Sequence, residues 1–290
     1  TLEPCSTFGK TPPCTRRIAE SGIREVRVAC RDPNPAHGGR GITALRKTGV
    51  RVSVGLLAAA AEKQNEIFSK WIATRLPFVS LKMAETLARK IAGENGVSRW
   101  ITGRPARACV HRLRARHAAV LVGKNTVLMD HPRLHVRIAG ARQPLRVVID
   151  PRLGIPLAYE VFKPRDGKIL VAACESHCRR KFLQYRKKGV GLLGVRERKR
   201  GELDLRDLLQ MLGRMEIDSV LVEGGGETAA RFLDEKLVDK IYFFIAPKIL
   251  GGRDAKTAVE GCARSLRCAV AIRDREVKFM GEDLESDRPL

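Results

Sequence analysis

Apolar residues recur along this chain in two rhythms. Short runs of β-branched and aliphatic residues at 78–83, 118–122, 145–150, 168–173, 189–193, 220–222 and 241–245 have the continuous hydrophobicity of strands covered on both faces. Between them, apolar positions return every three or four residues, which predicts helices after Thr102, over 204–214 and from Glu227 onward. Nearer the start, the same reading gives strands at 25–30 and 50–54 and helices at 15–21, 42–47 and 58–71. Strands alternating with helices define an α/β fold. A basic, proline-stopped stretch at 73–77 divides the chain into domains 1–75 and 76–290. The final stretch, 281–290, lacks apolar alternation, so no closing strand is predicted there.

The sharpest local feature follows the run at 220–222, where Glu223-Gly224-Gly225-Gly226 separates a strand from a helix. Consecutive glycines allow close approach of a ligand, and the first N–H groups of the helix suit a phosphate. The spacing is not the G-x-G-x-x-G of a dinucleotide fingerprint. Glu223 stands at the carboxyl end of a strand, where open α/β sheets place their ligands. Lys82, inside a buried strand, requires an anion or a carboxylate. A second phosphate position is expected in the loop His37-Gly38-Gly39-Arg40-Gly41.

Charge adds a partner class. The 290 residues carry 55 Lys and Arg against 32 Asp and Glu, a net +23, which points to anionic ligands: phosphorylated metabolites, nucleic acid, or simply a solvated basic surface. Much of the excess lies in runs at 179–188 and 196–200, read as solvated faces or loops that cofactor binding does not need. Aromatic residues make up only 5% of the chain, too few for the stacking platforms of single-strand nucleic-acid binding, so no specific nucleic-acid partner is expected. No apolar run of about 18 residues is present, which predicts no membrane association and a cytoplasmic protein. Eight dispersed cysteines suit reduced thiols or a metal site. Cys5 and Cys14 flank a proline-rich loop before a helix, a posture open to zinc, with no third ligand nearby. His131, His135 and His177 read as solvated, and the Cys174-His177-Cys178 cluster as non-metal.

With these residues in hand, the chain resembles the bifunctional riboflavin-biosynthesis deaminase/reductase family over nearly its whole length. TLEPC, GKTPPC and DPNP followed by GRG are similar to the second half of that family's zinc-dependent pyrimidine deaminase domain. SRWIT, LRA, NTVLMD, VVID, VEGGGE and IAPKILGG are similar to its reductase domain, which has a dihydrofolate-reductase-like α/β fold. The resemblance implies zinc ligation by Cys5 and Cys14, with the third ligand and the proton-shuttling glutamate in a His-Ala-Glu motif upstream of TLEPC. The chain therefore reads as N-terminally truncated, with an incomplete zinc site and no catalytic residue assigned. The resemblance also implies NADPH binding by Ala84, Trp100, Thr126, Asp130 and the stretch Gly225, Gly226, Glu227, Thr228, Ala229, Ala230 and Arg231. It implies binding of a phosphorylated pyrimidine substrate by Ser98, Arg114, Leu134, Arg137 and Glu223, and a homodimer. Two stretches depart from the family: Thr86-Leu87-Ala88-Arg89 stands where S-L-D-G is usual, and Asp130-His131-Pro132 replaces D-D-P. With two thiolates and no shuttling glutamate, the chain is expected to release no ammonia from the diaminopyrimidine phosphate when zinc is supplied. Ammonia release above the no-enzyme rate would overturn that expectation.

Overall fold

The computed structural model describes every residue except 1, 10, 94, 95, 97, 99, 164–166, 200, 263, 264, 274, 275 and 290. Arg99 of SRWIT and Arg200 of the second basic run lie outside the described residues. The chain divides into two compact units, Thr1–Leu76 and Pro77–Leu290.

The first unit is built from α1 (Cys14–Glu20), β1 (Glu25–Val28), α2 (Arg40–Lys47), β2 (Arg51–Val54), α3 (Ala58–Gln64) and α4 (Glu66–Thr74), with β1 and β2 paired in parallel. Its organising contact is the Glu3 carboxylate, buried and accepting backbone N–H bonds from Asp32, Gly39, Gly41 and Ile42 at 2.7–3.2 Å. Burial pushes this carboxyl up, but the four donors outweigh it and hold Glu3 below its ordinary value. The expected phosphate position at His37–Gly41 is thereby corrected, because the N–H groups that would cradle a phosphate are spent on Glu3. Gly41 is required for a steric reason: a Cβ there would lie 1.9 Å from the Pro4 carbonyl oxygen.

The single helix expected over 58–71 is two helices. Asn65 leaves the helical region (φ −102°, ψ 12°), and its side-chain Nδ2 donates to the Ala61 carbonyl at 2.8 Å. Its own carbonyl starts the next helix by accepting from the Ser69 N–H. An asparagine that bonds its local backbone ends one helix as readily as it opens another.

The second unit runs β3 (Phe78–Thr86), α5 (Arg104–Arg116), β4 (Ala119–Gly123), α6 (Lys124–Asp130), β5 (Leu145–Ile149), β6 (Ile169–Cys174), α7 (Glu175–Lys187), β7 (Gly191–Val195), β8 (Glu197–Lys199), β9 (Glu202–Leu203), α8 (Leu205–Arg214), β10 (Ser219–Val222), α9 (Gly226–Asp234), β11 (Lys240–Ala246), β12 (Glu276–Met280) and β13 (Asp283–Pro289). One sheet orders them β12-β13-β11-β3-β10-β4-β5-β6-β7, parallel from β11 to β7 and antiparallel at β13 and β12. Alternation along each strand feeds two cores. Val147 and Leu121 pack with Leu208, Leu212 and Phe232 of α8 and α9, whereas Val148 and Val122 pack with Val110 and Leu113 of α5. β10, late in the chain, enters between β3 and β4, so the carboxyl ends of these three strands meet at a topological switch point.

Two expectations are corrected here. The polar tail is a strand after all: β13 pairs with β11, and each polar side chain that points inward has a partner. Asp283 accepts the Gly103 N–H at 2.6 Å, Glu285 accepts from the Cys109 thiol, and Asp287 pairs with Lys240 at 3.6 Å. Hydrophobic alternation cannot detect a strand whose inward residues are hydrogen-bonded or salt-linked. Residues 124–130, to which the apolar pattern assigns no element, form α6. The basic run at 196–199 is fastened rather than free, with Arg196 on Asp207 (3.3 Å) and Arg198 on Glu235 (3.0 Å), which ties the β8–β9 hairpin to α8 and to the end of α9.

His117, 3% exposed, closes α5 against β3. The Leu113 carbonyl 2.7 Å from Nδ1 can only accept, so Nδ1 carries the proton and Nε2 accepts from the Ser80 hydroxyl at 2.8 Å. Burial depresses its pKa from 6.5 to about 4. A histidine neutral when folded stabilises above its unfolded pKa and loses that contribution as pH falls. Stability should therefore drop by about 3 kcal/mol from pH 6.5 to pH 4, visible in the urea midpoint, with most of the slope absent in His117→Gln. A midpoint flat across that window would contradict this.

Candidate active site

The carboxyl ends of β3, β10 and β4 open into a cavity of about 1120 Å³. Lys82 and Ala84 of β3 point toward it on the α5 side of the sheet. Glu223 follows β10 directly, fixed by its N–H donating to the Leu121 carbonyl at 2.8 Å, and its side chain is only 7% exposed. Arg114, on the last turn of α5, grips it bidentately, with Nε to Oε1 at 2.6 Å and Nη2 to Oε2 at 2.9 Å. The Lys82 ammonium lies 3.8 Å from Oε2, so the carboxylate that Lys82 was expected to need is Glu223.

Two cations share one anion, leaving an excess positive charge in a poorly solvated space. Burial works against the charged form of Glu223, but the charge and hydrogen bonds of Arg114, then Lys82, hold its pKa at about 2. Burial lowers the Lys82 pKa; Glu223 opposes the shift and Arg114 adds to it. His111 is driven to about 4 by burial and by the charges of Arg114 and Arg137, so it is neutral near pH 7 and its Nδ1 accepts the Arg137 backbone N–H at 3.3 Å.

The glycine turn meets the cavity at its middle glycine. A Cβ on Gly224 would lie 2.5 Å from that of Thr228, and one on Gly226 would lie 2.4 Å from the Thr257 carbonyl oxygen; both are packing glycines. A Cβ on Gly225 would meet only the Thr126 hydroxyl, at 3.7 Å, and face open space. The Gly225 N–H already donates to that hydroxyl at 3.0 Å, joining the start of α9 to α6. The open side of Gly225 leaves room for a ligand, with Thr126, Glu227 and Thr228 beside it. Trp100, 61% exposed at the rim, lies under the Arg107 guanidinium at 4.5 Å, and Lys248 binds its carbonyl at 3.1 Å.

The cavity brings together Ala84, Trp100, Thr126, Asp130, Gly225, Gly226, Glu227, Thr228 and Arg231 with Ser98, Arg114, Leu134, Arg137 and Glu223. The Ser98 hydroxyl donates to Asp130 at 2.6 Å. Ala229 and Ala230 are corrected: both are buried on the inner side of α9, Ala229 in the core with Phe232, and neither lines the cavity. Sequence reasoning left Lys82, His111 and Lys124 outside the site; a lysine in an otherwise apolar strand was the available signal for the first.

In the first unit, the Cys14 N–H donates to the Cys5 sulfur at 3.3 Å. A hydrogen bond with Cys5 pushes the Cys14 thiol up, aided by burial. No group of three His, Cys, Asp or Glu able to hold a metal occurs among the described residues, so these two thiols alone do not make a tetrahedral zinc site.

Residues 77–285 match the RibD C-terminal domain. The riboflavin biosynthesis protein RibD of Actinobacillus pleuropneumoniae is 40% identical over 288 residues, covering 99% of this chain and 76% of that protein. This chain belongs to the RibD family. RibD of Aquifex aeolicus is 39% identical over 285 residues, covering 98% of this chain and 78% of that protein. A structure of Acinetobacter baumannii RibD superposes with a TM-score of 0.85 at 31% identity, over 100% of this chain and 79% of that one. The Thermotoga maritima diaminohydroxyphosphoribosylaminopyrimidine deaminase/5-amino-6-(5-phosphoribosylamino)uracil reductase gives 0.82 at 33% identity, over 100% and 78%. The α/β architecture of this chain is thus that of RibD.

Removing the negative charge at the centre of the site should destabilise the second unit. Glu223→Gln leaves Arg114 and Lys82 facing each other without an anion and should cost about 3 kcal/mol in urea unfolding, part of it recovered when Arg114→Leu is added. The wild type should lose a similar amount as pH falls from about 4.5 to about 2, because a depressed carboxyl stabilises only while ionised. A Glu223→Gln protein as stable as wild type would contradict the buried pairing.

Proposed function

We propose that the second unit carries out NADPH-dependent reduction of 5-amino-6-(5-phosphoribosylamino)uracil to its ribitylamino product in riboflavin biosynthesis. The observation that carries this reading is the cation-rich Lys82–Glu223–Arg114 cluster beside a glycine cradle, in a chain of the RibD family. NADPH supplies the hydride that reduces the ribosyl carbon. Thr126, Thr228 and the backbone N–H groups at the start of α9, that of Glu227 included, hold the cofactor's phosphates beside Gly225, while Ala84 and Trp100 bound its space. Arg137 and the N–H groups of Arg114 not taken by Glu223 or by the His135 carbonyl receive the substrate phosphate, with Ser98, Asp130 and Leu134 shaping the pocket between. Glu223 keeps both cations charged and aimed. Opening the sugar ring leaves an oxygen that needs a proton; Lys82, protonated beside Glu223 yet made more acidic by burial, is placed to give it.

The departure at 86–89 is compatible with this reading. Arg89 occupies the left-handed region at φ 61° where the resemblance has glycine, and it pairs with buried Glu85. The turn is still closed, with the Arg89 N–H donating to the Thr86 carbonyl at 2.9 Å and the Thr86 N–H donating to that of Lys90 at 3.0 Å.

The first unit reads as part of a zinc-type pyrimidine deaminase domain, supported by matches to RibD proteins that span almost the whole chain. No helix among the described residues is long and apolar enough to cross a membrane. The chain reads further as a cytoplasmic homodimer without a specific nucleic-acid partner.

Incubated with the phosphoribosylamino-uracil and NADPH, the chain should consume NADPH and yield the ribityl product, and absence of turnover would overturn the reading. Gly225→Val tests the cradle, because φ −73° accepts a side chain and a Cβ there meets only the Thr126 hydroxyl. It should weaken NADPH binding by roughly tenfold or more, measured by NADPH fluorescence, with an unchanged urea midpoint. Unaltered affinity would remove Gly225 from the cofactor site.

A further inference from the structure

The stretch 131–137, which runs along the cavity between α6 and β5, has no regular secondary structure, yet it is tied down along its length. Two of its residues, His131 (φ 46°) and Leu134 (φ 57°), occupy the left-handed region without being glycine. A side chain there crowds its own backbone, so the conformation persists only where the surroundings impose it. The restraints can be named. The His131 ring lies flat on Tyr159, with centroids 4.6 Å apart and planes 12° from parallel, and Tyr159 is itself packed against the core on the α5 side. Beside that stack, Arg133 pairs with Glu160 at 3.2 Å, and the Leu134 side chain is buried. The His135 carbonyl accepts from Arg114 Nη1 at 3.3 Å, which links the segment to the Glu223 cluster. Gln143 then supplies what a neighbouring strand would: its Oε1 accepts the Val136 N–H at 2.8 Å and its Nε2 donates to the Val136 carbonyl at 3.0 Å.

Gln143 and Tyr159 do not line the cavity, whereas the segment they restrain carries Leu134 and Arg137, which do. A guanidinium recognises a phosphate through short, directed N–H bonds, so its backbone must already be in place if binding is not to spend free energy on ordering it. Without outside contacts, a segment with two left-handed residues and no ladder of its own would relax. Resting on the reading that this cavity reduces the phosphoribosylamino-uracil, we infer that Gln143 and Tyr159 are positioning residues, which hold 131–137 in the strained shape that presents Arg137, with Leu134, to the phosphorylated end of the substrate. An aspartate at 131, as in D-D-P, could not stack on an aromatic ring. The Tyr159 part of the device therefore belongs with the histidine of this chain.

The test is steady-state reduction by the purified chain, with NADPH and the phosphoribosylamino-uracil, in wild type, Gln143→Ala, Tyr159→Ala and Tyr159→Phe. Gln143→Ala should raise the substrate KM about tenfold, with kcat within about threefold of wild type and NADPH affinity, read from nucleotide fluorescence, within about twofold. Tyr159→Ala should shift KM in the same direction, and Tyr159→Phe, which keeps the ring, should match wild type. Added to Arg137→Ala, Gln143→Ala should change KM by less than about threefold, because the group it positions is already gone. An unchanged KM in Gln143→Ala would overturn the inference, as would a loss that falls equally on NADPH or persists in full beside Arg137→Ala; either leaves the reductase reading intact. If Gln143→Ala lowers the urea midpoint, the Tyr159 pair decides, and equal KM values in Tyr159→Ala and Tyr159→Phe would overturn the inference. A wild-type chain without turnover would overturn both.

Discussion

A carboxylate held between two cations at the edge of a parallel sheet is the constraint around which the second unit is arranged. Glu223 cannot be there without Arg114, because a carboxylate so poorly exposed is unstable without a partner, and Arg114 cannot be there without Glu223. The pairing fixes α5 against the exit of β10, and Lys82 brings β3 into the same cluster. Strand ends that would otherwise be joined only through backbone hydrogen bonds are thereby joined through charge. The surplus positive charge is directed inward, so the interaction that organises the site also prepares it for anions.

Much of this architecture could be read before the structure. The continuous apolar runs marked the parallel strands because burial on both faces removes polar residues, and the glycines after Glu223 marked the turn at the switch point. The lysine inside β3 announced a carboxylate without naming it. What stayed hidden depended on partners far away in sequence. β13 escaped notice because Asp283, Glu285 and Asp287 are matched by Gly103, Cys109 and Lys240 instead of by apolar neighbours. The break at Asn65 depended on one side chain's choice of acceptor.

Glycine was legible as a class but not by role. Gly224, Gly225 and Gly226 look equivalent in sequence, yet two are small to admit Thr228 and the loop at Thr257, and one is small toward the cavity. In the first unit, Gly39 and Gly41 have the look of a phosphate loop but serve an internal carboxylate from Glu3. Free N–H groups beside glycines attract any anion, and only the fold decides whether that anion belongs to the chain or to a ligand.

The insertion of β10 between β3 and β4 has a consequence for how the unit is made. The two flanking strands emerge early during synthesis, while the strand that joins them comes near the end, so β3 and β4 must wait with facing edges unpaired. Pairing across so long a separation in sequence is slow, because the entropy of closing the intervening loop is lost before any contact repays it. Until then the exposed edges are templates for association with other chains. The strand order that creates the cleft thus also makes the nascent enzyme most vulnerable to aggregation just before the cleft exists.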